Sequence, residues 1–349
     1  MSKHTCLMIG AGGMAGAWIR SFFAAFPKRV EIVGLVDVNR EPLDASGDFL
    51  GLPAERRFTS QEEAFEKTQA EFCCIVTPPA YHELSVRLAT QRGIDILSEK
   101  PIADTWDACG RIVRMVKDAQ VRMMVTQNYR YTPRILTFKQ LLTEQRLGRL
   151  NYLMGRFAAD YRRYGAWGHF RHEIPHSLLV EGSVHHFDQL RNLAGADCKT
   201  IVGCEWNPEW SSFKGESNAL YLLSFANGVP ANYEGSCNAA GHQTNWHHEY
   251  YRAECEGGAI VLDSDDRVWL QEYTPGQGMK LTEVPHVQPQ CQGHVAILGQ
   301  FLDWLDGGEE PPTALLGNIK SAAMLFGAIE ASASGLSVDV EAKVAEVMG

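Results

Sequence analysis

The stretch Val180-Glu181-Gly182-Ser183-Val184-His185-His186-Phe187-Asp188 carries side chains suited to proton chemistry within an otherwise apolar segment. On a helix, Glu181 and His185 stand one turn apart at i and i+4, with Asp188 three residues further along the same stripe. That is a base and the group that orients it. A carboxylate beside an imidazole fixes its tautomer and stabilises the charge it gains with a proton. The ordinary histidine pKa of about 6.5 lets the ring serve as base or acid near neutrality. Val184, Phe187, Leu190, Leu193 and Ala194 fall on another face at helical spacing, so the helix is expected to bury that side and turn the other toward a cavity. By itself the pattern equally describes an ion pair on a helix.

Near the amino terminus, Gly10-Ala11-Gly12-Gly13-Met14-Ala15 has the GxGxxA form between an apolar strand and a helix. In a dinucleotide site the first glycine permits the tight turn and the second lets backbone approach a pyrophosphate. The small Ala15, backed by Gly16, lets the helix pack on the strand, and the pyrophosphate then lies at the helix's positive end. Gly10, Gly12, Gly13, Met14 and Ala15 are therefore expected cofactor contacts. Asp37, ending the next strand, suits the ribose hydroxyls and favours NAD over NADP. Arg40, which reads most simply as a solvated surface arginine, could accept a 2′-phosphate and leaves NADP open. Two further loops, Thr77-Pro78-Pro79 with His82 and Ser98-Glu99-Lys100-Pro101, leave the carboxyl ends of strands, where ligands of such sheets bind. A lysine there can bond a reacting oxygen and stabilise its developing charge; away from such a position, Glu99-Lys100 would be an ordinary surface pair.

The segment from Asp160 to His176 is crowded with aromatic and basic residues: Tyr161, Arg162, Arg163, Tyr164, Trp167, His169, Arg171, His172 and His176. Aromatic faces beside hydrogen-bond donors suit a sugar or cyclitol, and the arginines an acidic substituent; a surface or subunit contact fits the same composition. His242, Asn245, Trp246, His247 and His248 form a second cluster with the same two readings. His172-Glu173-Ile174-Pro175-His176 matches the HExxH zinc-protease pattern, but Pro175 interrupts the helical turn that pattern needs. No metal is therefore expected.

The elements that must hold these residues are legible in outline. Strands Thr5 to Gly10, Val30 to Asp37, Phe72 to Thr77, Asp95 to Ser98 and Arg122 to Thr126 alternate with helices Met14 to about Phe26, His82 to Arg92 and Thr105 to Ala119, which predicts a doubly wound parallel sheet. After Pro133 come a helix to about Gln145, a strand from Asn151 to Ala159, and the helix with His185. An antiparallel meander follows, with hairpin signals at Asn227-Gly228, Glu256-Gly257-Gly258 and Asp265-Asp266, and then helices His294 to Asp306 and Asn318 to Ser334. The expected division is an NAD(P)-binding domain over residues 1–126 and a substrate and oligomerisation domain over 127–349. The chain has 349 residues, 45% of them apolar, a net charge of −10 and no long basic block, which fits about two domains and argues against nucleic acid or an acidic membrane as partner. The absence of an apolar run of about eighteen residues and of a cationic leader argues against membrane insertion or export. Nine cysteines without a CxxC pair read as free thiols of a reducing compartment, hence the cytoplasm.

The order and spacing of these motifs resemble those of the Gfo/Idh/MocA oxidoreductases, which include glucose–fructose oxidoreductase and inositol 2-dehydrogenase. The resemblance runs through Gly10–Gly16, Asp37, Thr77-Pro78 with His82, Glu99-Lys100-Pro101, Asn128-Tyr129-Arg130 with Pro133, Gly148-Arg149-Leu150, the His185/Asp188 helix and Ala328-Ile329-Glu330-Ala331-Ser332. It implies an N-terminal Rossmann domain plus a C-terminal α/β domain with a large open, mostly antiparallel sheet that commonly serves as an oligomer interface, and so a homodimer or homotetramer. It further implies that Lys100 and His185 are catalytic, with Glu181, where much of the family has Asp, as third member. Substrate contacts are expected from Arg130, Trp167, Arg171, His186, Asp188 and Trp246. The expected activity is NAD(P)-dependent hydride transfer to or from a hydroxyl-bearing carbon of a sugar, sugar derivative or cyclitol. The alternatives are glycoside cleavage through transient oxidation and elimination, and a non-catalytic NAD-binding regulator.

Overall fold

A computed structural model describes residues 3–241, 244 and 246–349, and the chain divides into two units: residues 1–128 with 291–319, and residues 129–290 with 320–347. His242 and Asn245, named above as candidate contacts, lie outside the described residues.

The first unit is built on six parallel strands: β1 (His4–Ile9), β2 (Val30–Val36), β3 (Arg57–Phe58), β4 (Phe72–Ile75), β5 (Asp95–Ser98) and β6 (Met123–Val125). Their order is β3-β2-β1-β4-β5-β6, the doubly wound arrangement the alternating pattern predicts. Strands β1 and β4 are almost wholly buried, Cys6, Leu7, Met8, Phe72, Cys73 and Ile75 being sealed from solvent, because helices cover both faces of such a sheet. Thr105 starts the Trp106–Ala119 helix by accepting a bond from the Ala108 amide at 3.3 Å, which satisfies one of the free first-turn donors. The expected long helix after the glycine turn is realised in three pieces: an α-helix Gly13–Ala17, a π-turn Trp18–Phe22 and a 3-10 turn Phe23–Ala25. A single cut near residue 127 also leaves out the return of residues 291–319 to this unit. The Gly293–Leu305 helix packs here, with Phe301 edge-on to Phe72 at 5.2 Å and Arg29 paired with Asp303 and Asp306.

Among the described residues the second unit carries nine strands: β7 (Leu150–Ala158), β8 (Cys198–Trp206), β9 (Asn218–Phe225), β10 (Pro230–Ser236), β11 (Tyr250–Cys255), β12 (Gly258–Leu262), β13 (Val268–Thr274), β14 (Gly278–Val284) and β15 (Val338–Asp339), in the order β14-β13-β12-β11-β7-β10-β9-β8-β15. All three hairpins form where expected; Gly228 at φ 85° and Asp266 at φ 66° supply the left-handed positions two of them need. The sheet departs from a meander where β7 lies between β11 and β10 and where β15 joins β8, and one of these pairs, β7 with β10, runs parallel. The Val184–Ala194 helix lies against this sheet. Its apolar face behaves as the spacing predicts: Phe187 is fully buried and meets Tyr221 and Tyr233 edge-on, a burial worth about 1.5–3 kcal/mol for a side chain of this size. The other face is buried too, since every residue from Glu181 to Leu190 is buried.

Candidate active site

In the first unit, the glycine turn has the geometry its residue types require. Gly10 takes φ 107°, and a Cβ there would stand 2.3 Å from the Val76 carbonyl oxygen, so neither the dihedral nor the close approach to the end of β4 admits a side chain. Gly12 is extended and caps the following helix without a side-chain bond, leaving the first-turn N–H groups without a side-chain acceptor. Ala15 is fully buried, as helix-to-strand packing demands, while Met14 is 40% exposed. Asp37 is held from two sides: the Ala11 amide donates to Oδ2 at 2.8 Å and the Asn39 amide to Oδ1 at 2.9 Å. Each oxygen keeps a further lone pair for a ribose hydroxyl. An uncapped helix start beside a fixed carboxylate fits the diphosphate and ribose of a dinucleotide. Arg40 opens the next helix and is exposed.

The two loops at the carboxyl ends of β4 and β5 differ from expectation in what their titratable groups do. His82, expected at the cofactor, is sealed from solvent: Nε2 meets the Thr77 carbonyl at 2.9 Å, and Nδ1 the Pro101 and Ile102 carbonyls at 3.1 and 3.2 Å. It staples the Thr77-Pro78 loop to the Lys100-Pro101 loop. Burial lowers its pKa against the opposing pull of those carbonyls. Glu99, also expected at the cofactor, is buried and accepts from Trp18 Nε1 at 2.8 Å and Thr126 Oγ1 at 2.7 Å, with His294 Nε2 at 3.4 Å. Burial works to raise its pKa, but His294 and these hydrogen bonds prevail and lower it to about 2. Its work is to tie the helix after the glycine turn, the end of β6 and the returning 291–319 segment together. The His294 ring is itself stacked on Phe22 at 4.6 Å. Lys100, next in sequence, is half-buried, and Thr77 keeps a buried hydroxyl with no hydrogen-bond partner among the described residues.

In the second unit, the segment around His185 is not one continuous α-helix. Leu178–Ser183 is a π-turn and the α-helix begins at Val184, so the i, i+4 geometry assumed for Glu181 and His185 does not apply unchanged. Glu181 is buried and takes Arg171 Nε at 3.0 Å. Arg171 lies over the rings of Trp167 and Phe170, 5.1 and 4.5 Å from their centroids. His185 is 4% exposed and stacks flat on Tyr129, centroids 4.3 Å apart at 5°. Trp246 stands edge-on to His185, Tyr129 and Trp167 at 6.2, 6.2 and 5.3 Å, and Trp167 stacks on Tyr161. The two aromatic clusters of the sequence thus converge in part on one imidazole. Tyr129 was visible in the sequence only as part of the Asn128-Tyr129-Arg130 motif, and nothing local marks it as a stacking partner.

Three residues expected to touch substrate do something else. Arg130 donates from Nε and Nη2 to Asp188 at 2.7 and 2.6 Å, and Ser321 Oγ donates to the same carboxylate at 2.7 Å. Asp188 is sealed from solvent and Arg130 nearly so. Burial opposes the Arg130 charge, and Asp188 outweighs it. His186 is 1% exposed, with Nδ1 at 2.7 Å from the Tyr233 hydroxyl and Nε2 at 3.5 Å from Glu249. Arg130 and Asp188 satisfy each other inside the fold, whereas His186 meets Tyr233 through Nδ1 and its Nε2 makes no hydrogen bond among the described residues.

The HExxH residues do not assemble. The His169–Glu173 helix ends before Ile174, which is extended, and His176 takes φ 51°. His172 stacks on Phe213 at 3.9 Å and meets Ser212 Oγ at 3.0 Å, whereas His176 turns to Glu205 at 2.6 Å.

Comparison with known proteins agrees with this architecture. Residues 4–127 match the oxidoreductase family model described as an NAD-binding Rossmann fold, and residues 135–261 match the Gfo/Idh/MocA C-terminal domain. The uncharacterized protein y4oX of Sinorhizobium fredii is 40% identical over 348 residues, covering 97% of this chain and 96% of its own. The D-apiose dehydrogenase of Paraburkholderia graminis is 25% identical, covering 90% and 84%. Among solved structures, an Agrobacterium radiobacter oxidoreductase in complex with NAD+, L-tartaric acid and magnesium superposes with a TM-score of 0.85 at 22% identity, over 97% of this chain and 99% of that one.

Proposed function

Since the chain belongs to the Gfo/Idh/MocA oxidoreductase family, with an NAD-binding Rossmann unit, we propose that it moves a hydride between NAD and a hydroxyl-bearing carbon of a sugar, sugar derivative or cyclitol. The observation that carries the reading is His185 itself: a buried imidazole stacked on Tyr129 and edged by Trp246, in a chain that also keeps Lys100 at the end of a strand of the nucleotide-binding sheet. NAD, when bound, supplies the hydride acceptor. His185 takes the hydroxyl proton, and Lys100 bonds the same oxygen and stabilises the charge it develops. Glu181, anchored by Arg171 at 3.0 Å, is the third member of the proposed site. Reduction of the carbonyl reverses each step. Aromatic walls at Trp167, Tyr161 and Trp246 suit the apolar faces of a ring-shaped polyol, and a D-apiose dehydrogenase among the relatives supports a carbohydrate. Arg171, half-buried beside them, is the remaining candidate for a polar or acidic substituent.

The test is NADH formation by the full chain across a panel of sugars, sugar acids and inositols, with NAD and NADP offered separately. A net yield of NADH is expected, and Lys100→Met should nearly abolish it while NAD binding persists. Turnover unchanged by Lys100→Met would overturn the assignment. Release of an aglycone without net NADH would point to glycoside cleavage instead, and tight NAD binding without any turnover to a regulator.

We further infer a homo-oligomer joined through the open face of the sheet. Val202 and Leu222 are cross-strand partners on that face, and they are 38% and 63% exposed, with Trp206 and Leu220 at 41% and 49% beside them. Contiguous apolar surface of this kind marks an interface. Leu222→Asp should shift the mass measured by light scattering toward the monomer; an unchanged mass would refute this interface. All nine cysteines are free thiols and six of them are buried in the two cores, which supports a cytoplasmic protein. Among the described residues no helix is long and apolar enough to cross a membrane.

A further inference from the structure

Away from the His185 cluster, three ligand-type side chains from separate parts of the second unit meet. His176 follows the broken turn at Pro175, Glu205 sits in β8, and Glu216 precedes β9. His176 Nδ1 lies 2.6 Å from Glu205 Oε1 and 3.3 Å from Glu216 Oε2, and the ligand atoms of all three fall within 4.8 Å of one another. The His176 amide also donates to Glu216 at 2.9 Å. The frame around them is tight. A Cβ on Gly215 would stand 2.2 Å from the Ile174 carbonyl, the Leu178 amide bonds the Glu216 carbonyl at 3.2 Å, and Ser332 Oγ accepts from the Glu205 amide at 3.0 Å. One feature is not accounted for by an ion pair. The Glu205 side chain is 3% exposed, yet its second oxygen, Oε2, has no hydrogen-bond partner among the described residues. A buried carboxylate oxygen left in this state costs the full desolvation of a charged acceptor.

We propose that His176, Glu205 and Glu216 bind one divalent transition cation of the zinc class, with solvent completing its coordination. Two carboxylates and a neutral imidazole carry a charge of −2, which a divalent ion cancels, whereas a proton on His176 leaves one negative charge over. A nitrogen ligand among oxygens selects zinc and its neighbours over magnesium or calcium. Tetrahedral zinc at about 2.1 Å from each ligand separates the ligand atoms by about 3.4 Å. The 3.3 Å pair already has that spacing; the 2.6 Å contact opens by less than about 1 Å as the metal replaces the proton shared there. His176 and Glu216, each about one-third exposed, give the ion a path from solvent and leave room for water ligands. The second histidine of the HExxH pattern thus ligates through partners far from it in sequence. The inference is independent of the hydride-transfer reading.

The experiment uses the full chain stripped with a chelator and then equilibrated with zinc. One zinc per chain is expected after dialysis, with affinity falling at least about tenfold in both Glu216→Gln and His176→Asn. Cobalt loaded in place of zinc should show ligand-field bands without thiolate-to-cobalt charge transfer, a readout that needs no variant and separates this site from the cysteines. Absence of stoichiometric metal, a thiolate signature, or affinity unchanged in both variants would each overturn the proposal, leaving a protonated His176 between two glutamates.

Discussion

Asp188→Asn gives the clearest measure of what the Arg130–Asp188 pair does. Three hydrogen bonds reach the Asp188 carboxylate, two from Arg130 and one from Ser321, and each bond to a charged group is worth about 1.5–3 kcal/mol. Asparagine keeps one acceptor oxygen and loses the charge, so Arg130, only 10% exposed, is left buried without a counter-ion. Removing one partner of such a pair costs about 3–5 kcal/mol, and Arg130→Met is expected to cost the same. The double variant Arg130→Met/Asp188→Leu removes both charges and leaves only Ser321 short of a partner, so it should fall within about 2 kcal/mol of the parent. Urea unfolding of the four proteins at pH 7, followed by circular dichroism, reads the cycle. Additive losses would refute the reasoning. So would an Asp188→Asn loss below about 1 kcal/mol accompanied by a selective rise in KM, the signature of a substrate contact.

Gly10→Ala should destabilise the protein by at least about 2 kcal/mol and weaken NAD binding, because strain at φ 107° adds to a backbone clash. Gly13→Ala, at φ 51° with open space around it, should cost only about 1 kcal/mol; equal thermal shifts for the two would contradict the close approach to Val76. Glu99 has a folded-state pKa lowered from 4.5 to about 2, so its stabilisation is fully present above pH 4.5 and is lost as pH falls through that interval. The acid limb of the stability curve should flatten by roughly 3 kcal/mol in Glu99→Gln; an unaltered limb would show that another group carries it. Tyr129→Phe keeps the stack under His185 and should turn over at nearly the parental rate. Tyr129→Leu removes an aromatic contact worth about 0.5–1.5 kcal/mol and should lower kcat up to about tenfold and displace the pH profile. Equal rates for the two would mean that the ring does not position His185.

Much of this molecule is written in short-range rules. The glycine turn, the strand–helix alternation of the first unit, the three hairpins and the apolar face of the His185 helix each depend on backbone dihedrals or on a period of two to four residues. Gly10, Gly228 and Phe187 could therefore be placed from their neighbours alone. Partner choice could not. Asp188 and Glu99 are buried carboxylates that any reading of spacing offers to a ligand; which partner claims each depends on chain segments 58 residues away in one case and, with His294, 195 residues away in the other. The π-turn at Leu178–Ser183, the parallel β7–β10 pair and the return of residues 291–319 likewise depend on packing between distant segments. Local sequence determined which polar side chains stand beside apolar runs. Only the tertiary structure decided what satisfied them, because a hydrogen bond acts over about 3 Å and that distance is set by the whole fold.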